Sequence, residues 1–215
     1  IWSAYATSFS RITTRYQSTL YRDIAALAQG HVVDFGCGPA KLAPYLASRA
    51  AVTGYLGVDA CPLMVQLGRQ LLDELTAPGF AVTCSTIETL SETGFSFGVS
   101  VNSYYVWQSP VIVLEKVGDC FAAGADFILA TPNDRLDMNR LMQDSRQDFL
   151  LSPDFQQFKE CNDRLAQSHA YQFVTLDTLI SQLRSVGFSI LHCHTDYFDG
   201  GLNFIHARKM AGGRR

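Results

Sequence analysis

The sequence predicts an α/β fold built on a doubly wound, seven-stranded, mostly parallel sheet, with one antiparallel strand near the C-terminus. Two observations predict it. Strand-like and helix-like segments alternate along the chain, which implies parallel strands with helices on both faces. The last two strand-like segments, FSILHCHTDYF and FIHARK, are joined through Asp199-Gly200-Gly201-Leu202-Asn203, so they form a hairpin and one runs antiparallel. With 215 residues, of which 47% are hydrophobic, the chain can bury one core, and a single domain over residues 1–215 is expected.

The elements follow in order. Between Trp2 and Leu27, apolar and aromatic residues recur three or four apart, the period of an amphipathic helix, and predict two helices or one broken one. HVVDF reads as the first strand, Lys41 to Arg49 as a helix, YLGVD as the second strand, and Pro62 to Leu75 as a helix with proline in its first turn. AVTCSTI, Val99 to Val106 and ADFILA read as strands three to five, with a helix from Val111 to Phe121 before the fifth. The polar stretch 133–172 contains helical patches such as NRLMQDSRQDFLL and DFQQFKECNDRLAQ, and reads as a helical insertion or cap. Thr175 to Val186 is a helix ended by Gly187, a residue that tolerates the left-handed conformation of a C-cap.

Composition removes several function classes. The formal net charge is −3 and Lys and Arg are scattered, so there is no basic footprint for a phosphate backbone, and nucleic acid is not an expected partner. Six cysteines stand without C-x-x-C pairs, which predicts free thiols, mostly buried, in a reducing compartment. The most apolar region, Val111 to Ala130, is interrupted by Glu115, Lys116, Asp119 and Asp126, so no membrane span is expected. With no secretory leader pattern, the expected setting is the cytoplasm.

The chemistry concentrates in HVVDFGCGPA. Two glycines one residue apart, Gly36 and Gly38, let the backbone turn sharply and come close to a ligand, and the helix beyond presents unpaired N–H groups. Asp34 ends the first strand and Asp59 the second, at the carboxyl ends where open α/β sheets bind ligands. Asp34 can accept hydrogen bonds from a cationic group or, alternatively, cap a helix; Asp59 can take both hydroxyls of a ribose.

The joint pattern of strand, acid, G-x-G, helix, strand and acid resembles the class I S-adenosylmethionine-dependent methyltransferases of small-molecule type. VVDFGCGPA resembles their first motif, GYLGVDACPLM the segment carrying the ribose-binding acid, and LISQLRSVGFSILHCHTDYF with FIHARK their last helix and closing hairpin. The resemblance implies a Rossmann-like fold and S-adenosylmethionine as cofactor. It implies that Asp34, Gly36 and Gly38 line the methionine half, that Asp59 holds the ribose, that Ala60 and Met64 border the adenine, and that Ile87 and Glu88 meet its edge. Asn102 and Ser103 would lie beneath the sulfonium. Tyr5-Ala6-Thr7-Ser8-Phe9 resembles the lid signature of small-molecule members, which makes residues 1–30 a helical lid with Tyr5 at the cofactor. Ala40 and Thr86 depart from the family pattern, standing where a third glycine and an aspartate are common.

Competing motifs are weaker. A dinucleotide site wants G-x-G-x-x-G, and Lys41 occupies the third glycine position. Gly94-Phe95-Ser96-Phe97-Gly98 matches the G-x-S-x-G nucleophile elbow but lacks the strand before it and the helix after it. In His192-Cys193-His194 the two histidines share a strand face but have no helical H-x-x-x-H partner, and no metal site is assigned. Of the rings in Tyr104-Tyr105-Val106-Trp107, two are expected in the core and at least one at the reaction chamber, where an aromatic face attracts the cationic sulfur.

The expected activity is methyl transfer to a small-molecule acceptor by in-line displacement at the sulfonium. An alternative is use of the aminocarboxypropyl arm of S-adenosylmethionine, which would then itself be the substrate and release methylthioadenosine; a second is a non-catalytic ligand-binding subunit. Catalytic candidates are Tyr104, Tyr105 and His169, with Glu160 and Asp137 as further bases. A monomer or homodimer is expected.

Overall fold

Strands β1 (Gly30–Phe35), β2 (Val52–Asp59), β3 (Phe80–Cys84), β4 (Phe95–Val101), β5 (Phe121–Pro132), β6 (Phe188–His194) and β7 (Leu202–Lys209) form one sheet in the order β3-β2-β1-β4-β5-β7-β6. The structure is a computed structural model that describes residues 2–146, 149, 152–167 and 172–211. Strand β7 runs antiparallel to both of its neighbours, β5 and β6, while β1 to β5 pair in parallel. The helices are α1 (Trp2–Arg11), α2 (Arg15–Leu27), α3 (Ala43–Ala47), α4 (Pro62–Leu75), α5 (Pro110–Asp119), α6 (Met138–Arg146), α7 (Phe155–Gln167) and α8 (Leu176–Ser185). The seven-stranded, Rossmann-like sheet expected from the sequence is the one observed.

Side chains alternate between two cores because successive strand residues point to opposite faces. Val32, Ile128 and Phe204 enter the core shared with α1, α2, α4, α6 and α7, whereas Val33, Leu129 and Ile205 enter the core shared with α5 and α8. Phe95 and Phe97 break this rule by entering different cores, and the register of β4 against β5 shifts between them.

Several boundaries differ from those the sequence predicts. The fourth strand is Phe95–Val101, not Val99 to Val106. Asn102 takes a left-handed backbone, φ 55°, and the chain leaves the sheet there, so Tyr104–Val106 form a short 3-10 turn. The helix predicted from Lys41 starts at Ala43, with Pro44 in its first turn, because residues 37–42 are spent on the turn after β1. The third strand ends at Cys84, and Ile87–Thr89 is a 3-10 turn. The fifth strand begins at Phe121, which pairs with Phe95 and so belongs to β5, not α5.

All six cysteines are free thiols. Fewer are buried than expected: Cys120 and Cys161 are buried, Cys37, Cys61 and Cys193 half-buried, and Cys84 exposed. Among the described residues no helix is long and apolar enough to cross a membrane.

Candidate functional site

The sheet reverses its winding between β1 and β4, since β2 and β3 lie on one side of β1 and β4 and β5 on the other. Loops leaving the carboxyl ends on either side of such a reversal separate, and ligands bind in the crevice between them. A cavity of about 640 Å³ opens there. Its floor is the carboxyl ends of β1, β2 and β4, and its roof is α1 together with α6 and α7.

The loop after β1 is tied to the end of β2. Gly36 and Cys37 both donate their N–H to Val58 O, at 2.8 and 3.0 Å. Asp59 then clamps two loops with one carboxylate: Oδ2 accepts from the Gly38 N–H and Oδ1 from the Cys61 N–H, both at 2.8 Å. Burial raises the Asp59 pKa and these two N–H groups oppose the rise. Each oxygen keeps a lone pair for a further donor, which suits a vicinal diol.

Asp34 caps no helix. It is buried, and its Oδ2 accepts a hydrogen bond from the Tyr55 hydroxyl at 3.0 Å. Burial pushes Asp34 up to about 7, with Asp59 adding to the rise and the Tyr55 hydroxyl opposing it. Tyr55 escaped the sequence reading because its role depends on pairing: Val32 faces Tyr55 and Asp34 faces Gly57 in the β1–β2 register. Gly36, at φ 73°, lies so close to Ser103 that an added Cβ would sit 2.3 Å from the Ser103 Cβ. Ser103 is itself fixed, donating to Phe35 O at 2.9 Å and sharing a 2.7 Å hydrogen bond with Ser100.

Of the residues singled out in the sequence, Tyr5, Asp34, Gly36, Gly38, Asp59, Ala60, Met64, Ile87, Glu88, Asn102, Ser103 and Tyr105 all line this cavity. Asn102 Oδ1 is a buried acceptor without a hydrogen-bond partner among the described residues. The Tyr5 hydroxyl accepts from Asn162 Nδ2 at 2.8 Å, tying α1 to α7. Tyr104 is placed elsewhere: it is fully buried in the core under α5 and α8, and its hydroxyl donates to Gln182 Oε1 at 2.6 Å. His169 lies outside the described residues. Glu160 accepts from Gln156, and Asp137 accepts the N–H of Arg140 at the start of α6; neither lines the cavity.

Lys41, seen in the sequence only as a replaced glycine, holds the joint between α1 and α2. Its ammonium donates to Phe9 O at 2.9 Å, Ile12 O at 2.5 Å and Gln17 Oε1 at 3.4 Å, and lies 3.9 Å from the centre of the Phe9 ring. Burial lowers its pKa to about 7. Gln17 and Thr14 also form the capping box that starts α2. Only the fold brings residue 41 beneath residues 9 to 17.

The competing motifs resolve as structural parts. Ser96, the centre of G-x-S-x-G, sits within β4 and bonds to Gln29 and His31 at the strands' amino ends, away from the cavity. The rings of His192 and His194 lie 5.1 Å apart on β6, tilted by 46°, and among the described residues no group of three or more metal-ligating side chains assembles.

The residues present fit S-adenosylmethionine: a glycine cradle that a Cβ would fill at Gly36, a carboxylate with two spare lone pairs at Asp59, and an unpartnered acceptor at Asn102. A family model described as a methyltransferase domain matches residues 11–193. Among solved structures, the chain resembles the [4+2]-cyclase SpnF, with TM-score 0.67 and 14% identity over 94% of this chain and 85% of that one. It also resembles magnesium protoporphyrin IX methyltransferase from Synechocystis with bound S-adenosylhomocysteine, with TM-score 0.65 and 16% identity over 90% and 84%. The N-methyltransferase NodS from Bradyrhizobium japonicum, also with S-adenosylhomocysteine, gives TM-score 0.65 and 11% identity over 91% and 88%. A search of curated proteins finds no match. Identities this low carry the fold alone, but the family model covers most of the sequence. The chain belongs to the methyltransferase-domain family, with S-adenosylmethionine as its cofactor.

Proposed function

We propose that this protein transfers the methyl group of S-adenosylmethionine to a small-molecule acceptor. One observation carries the reading: a single cavity joins the strand-end loops bearing Asp34, Gly36, Gly38 and Asp59 to a chamber beneath α1 and α7. When bound, the cofactor supplies a methyl group on a sulfonium sulfur, transferred as the acceptor's lone pair bonds to carbon and the carbon–sulfur pair stays on sulfur.

In this reading the chain binds, orients and excludes water. Asp59 takes the ribose hydroxyls on its spare lone pairs, and Ala60, Met64 and Ile87 wall the adenine with Glu88 at its edge. Gly36 and Gly38 bring backbone against the methionine half, where Asp34, in its ionised form, faces the ammonium. Asn102 offers its acceptor beneath the sulfur, and Ser103 keeps the β1 and β4 loops at their spacing. Residues 1–30 form the lid and 133–172 the cap of one domain spanning 1–215. Tyr105 borders the acceptor, while Tyr104 supports the fold from the opposite core. No side chain is assigned as general base; an acceptor that is already nucleophilic needs none, and its proton leaves to solvent after transfer.

The test is mass spectrometry of the protein incubated with S-adenosylmethionine and a panel of small acceptors, combined with calorimetry. Adenosylhomocysteine with a methylated product is expected. Methylthioadenosine instead would move the attack to the aminocarboxypropyl arm. Asp59→Ala should weaken adenosylhomocysteine at least about tenfold, and undiminished affinity would overturn the ribose assignment.

A further inference from the structure

We infer that the acceptor is an uncharged, hydrophobic molecule with a ring system, held by an aromatic arc that spans the lid and the cap; the inference rests on the methyltransferase reading above. The arc is continuous. Phe158 of α7 lies 6.4 Å from Phe9 with its ring nearly parallel, Phe9 lies 4.9 Å from Tyr5, Tyr5 6.2 Å from Trp2, Trp2 6.4 Å from Tyr105, and Tyr105 5.5 Å from Phe173. All six rings line the one cavity. Between them, Leu136, Met138, Leu141, Met142 and Leu165 complete an apolar wall, and the methionines can adapt to an irregular outline.

Charge is distributed to the same effect. Among the described residues the acidic side chains on the wall are Asp34, Asp59 and Glu88, all at the ends of β1 and β2 or just after β3, in the half assigned to the cofactor. No Lys, Arg or His lines the cavity among those residues, and the cap residues outside the description, 147–148, 150–151 and 168–171, include no Lys or Arg in the sequence and one histidine, His169. The nearest ammonium, Lys41, lies against Phe9 and is held by three oxygens at the lid joint. A carboxylate or phosphate entering the arc would therefore lose water without gaining a Lys or Arg partner. A cationic acceptor would meet the like charge of the sulfonium at the point of transfer. An uncharged ring system suffers neither penalty and gains offset or edge-to-face contacts along the arc.

The test loads the full chain with adenosylhomocysteine, checked by calorimetry, and displaces the neutral fluorophore N-phenyl-1-naphthylamine with three compounds sharing one ring system: neutral 2-naphthol, anionic 2-naphthoate and cationic 2-naphthylmethylammonium. The neutral compound should bind at least about tenfold tighter than the anion with adenosylhomocysteine bound, and tighter than the cation when S-adenosylmethionine, which carries the sulfonium, replaces it. Equal or tighter binding of the anion, or of the cation with S-adenosylmethionine bound, or failure of the neutral probes to bind a chain that holds adenosylhomocysteine, would overturn the inference while leaving the methyltransferase reading intact. A chain that does not hold adenosylhomocysteine would overturn both. Phe158→Ala, and Phe173→Ala at a half-buried position, should each weaken the neutral probe several-fold; undiminished binding in both would place the probe outside the arc and overturn the inference.

Discussion

The Tyr55 hydroxyl donates to Asp34 Oδ2 at 3.0 Å from the adjacent strand, and it can do so because Gly57 lies between them without a side chain. A Cβ at Gly57 would stand 2.9 Å from the Tyr55 oxygen and 2.8 Å from the Cys37 sulfur. A tyrosine and a glycine two residues apart thus set the environment of the acid on the neighbouring strand.

Tyr55→Phe removes the donor and leaves Asp34 buried without it. Stability should fall by about 1–3 kcal/mol in urea unfolding, and adenosylhomocysteine should bind more weakly in calorimetry, because the Asp34 pKa rises further and less of its ionised form is present at neutral pH.

Two buried groups shape the pH dependence of the unliganded chain near neutrality. Asp34 holds its proton to about 7 against an ordinary 3.8, so its contribution to stability is full below about pH 4 and is lost as pH rises to about 7; Asp59, also raised, acts in the same direction. Lys41 releases its proton at about 7 against an ordinary 10.5, so the unfolded chain binds more protons above 7 and stability rises again toward pH 10.5. Asp126, which burial alone would raise but Arg208 and His206 hold below its ordinary value, works in the opposite sense to Asp34 at acid pH, so the two limbs are read by comparing thermal unfolding of variants with the parent chain. Asp34→Asn should reduce the fall in stability between about pH 4 and 7, and Lys41→Met the rise above 7; profiles unchanged from the parent would contradict the assignments.

Gly36→Ala introduces a side chain at φ 73°, with its Cβ 2.3 Å from Ser103. The left-handed backbone alone costs about 1–2 kcal/mol, and displacement of the β4 loop should weaken adenosylhomocysteine well beyond that. The double variant Gly36→Ala, Ser103→Gly should recover part of the affinity, since it relieves the contact and leaves the backbone strain.

Lys41→Met leaves the Phe9 and Ile12 carbonyls without their donor. The cost should be about 1–3 kcal/mol, and hydrogen exchange should quicken in α1 and the first turn of α2 while the sheet amides stay protected. Uniform acceleration across the sheet would mean that Lys41 supports the whole fold, not the joint between α1 and α2.

Tyr104→Phe loses the 2.6 Å bond to Gln182. It should cost about 0.5–1.5 kcal/mol and leave the turnover number unchanged, because the ring lies in the core opposite the cavity. A large loss of turnover would return Tyr104 to the catalytic machinery.

The strand-end acids, the paired glycines and the alternation of elements were legible in the sequence because each is local: a few consecutive residues set a strand, a tight turn and a carboxylate at its edge. Asp34 and Asp59 line one cavity because parallel pairing in register brings the ends of adjacent strands together. What only the tertiary structure decided depends on residues far apart in the chain. Asn102 turns left-handed where a continuing strand was expected, and that turn sends Tyr104 into one core and Tyr105 to the cavity. Lys41 meets Phe9, Ile12 and Gln17, and Tyr5 meets Asn162, only where α1, α2 and α7 pack over the sheet. Contacts of that kind depend on how elements pack, and neither periodicity nor spacing along the chain encodes them.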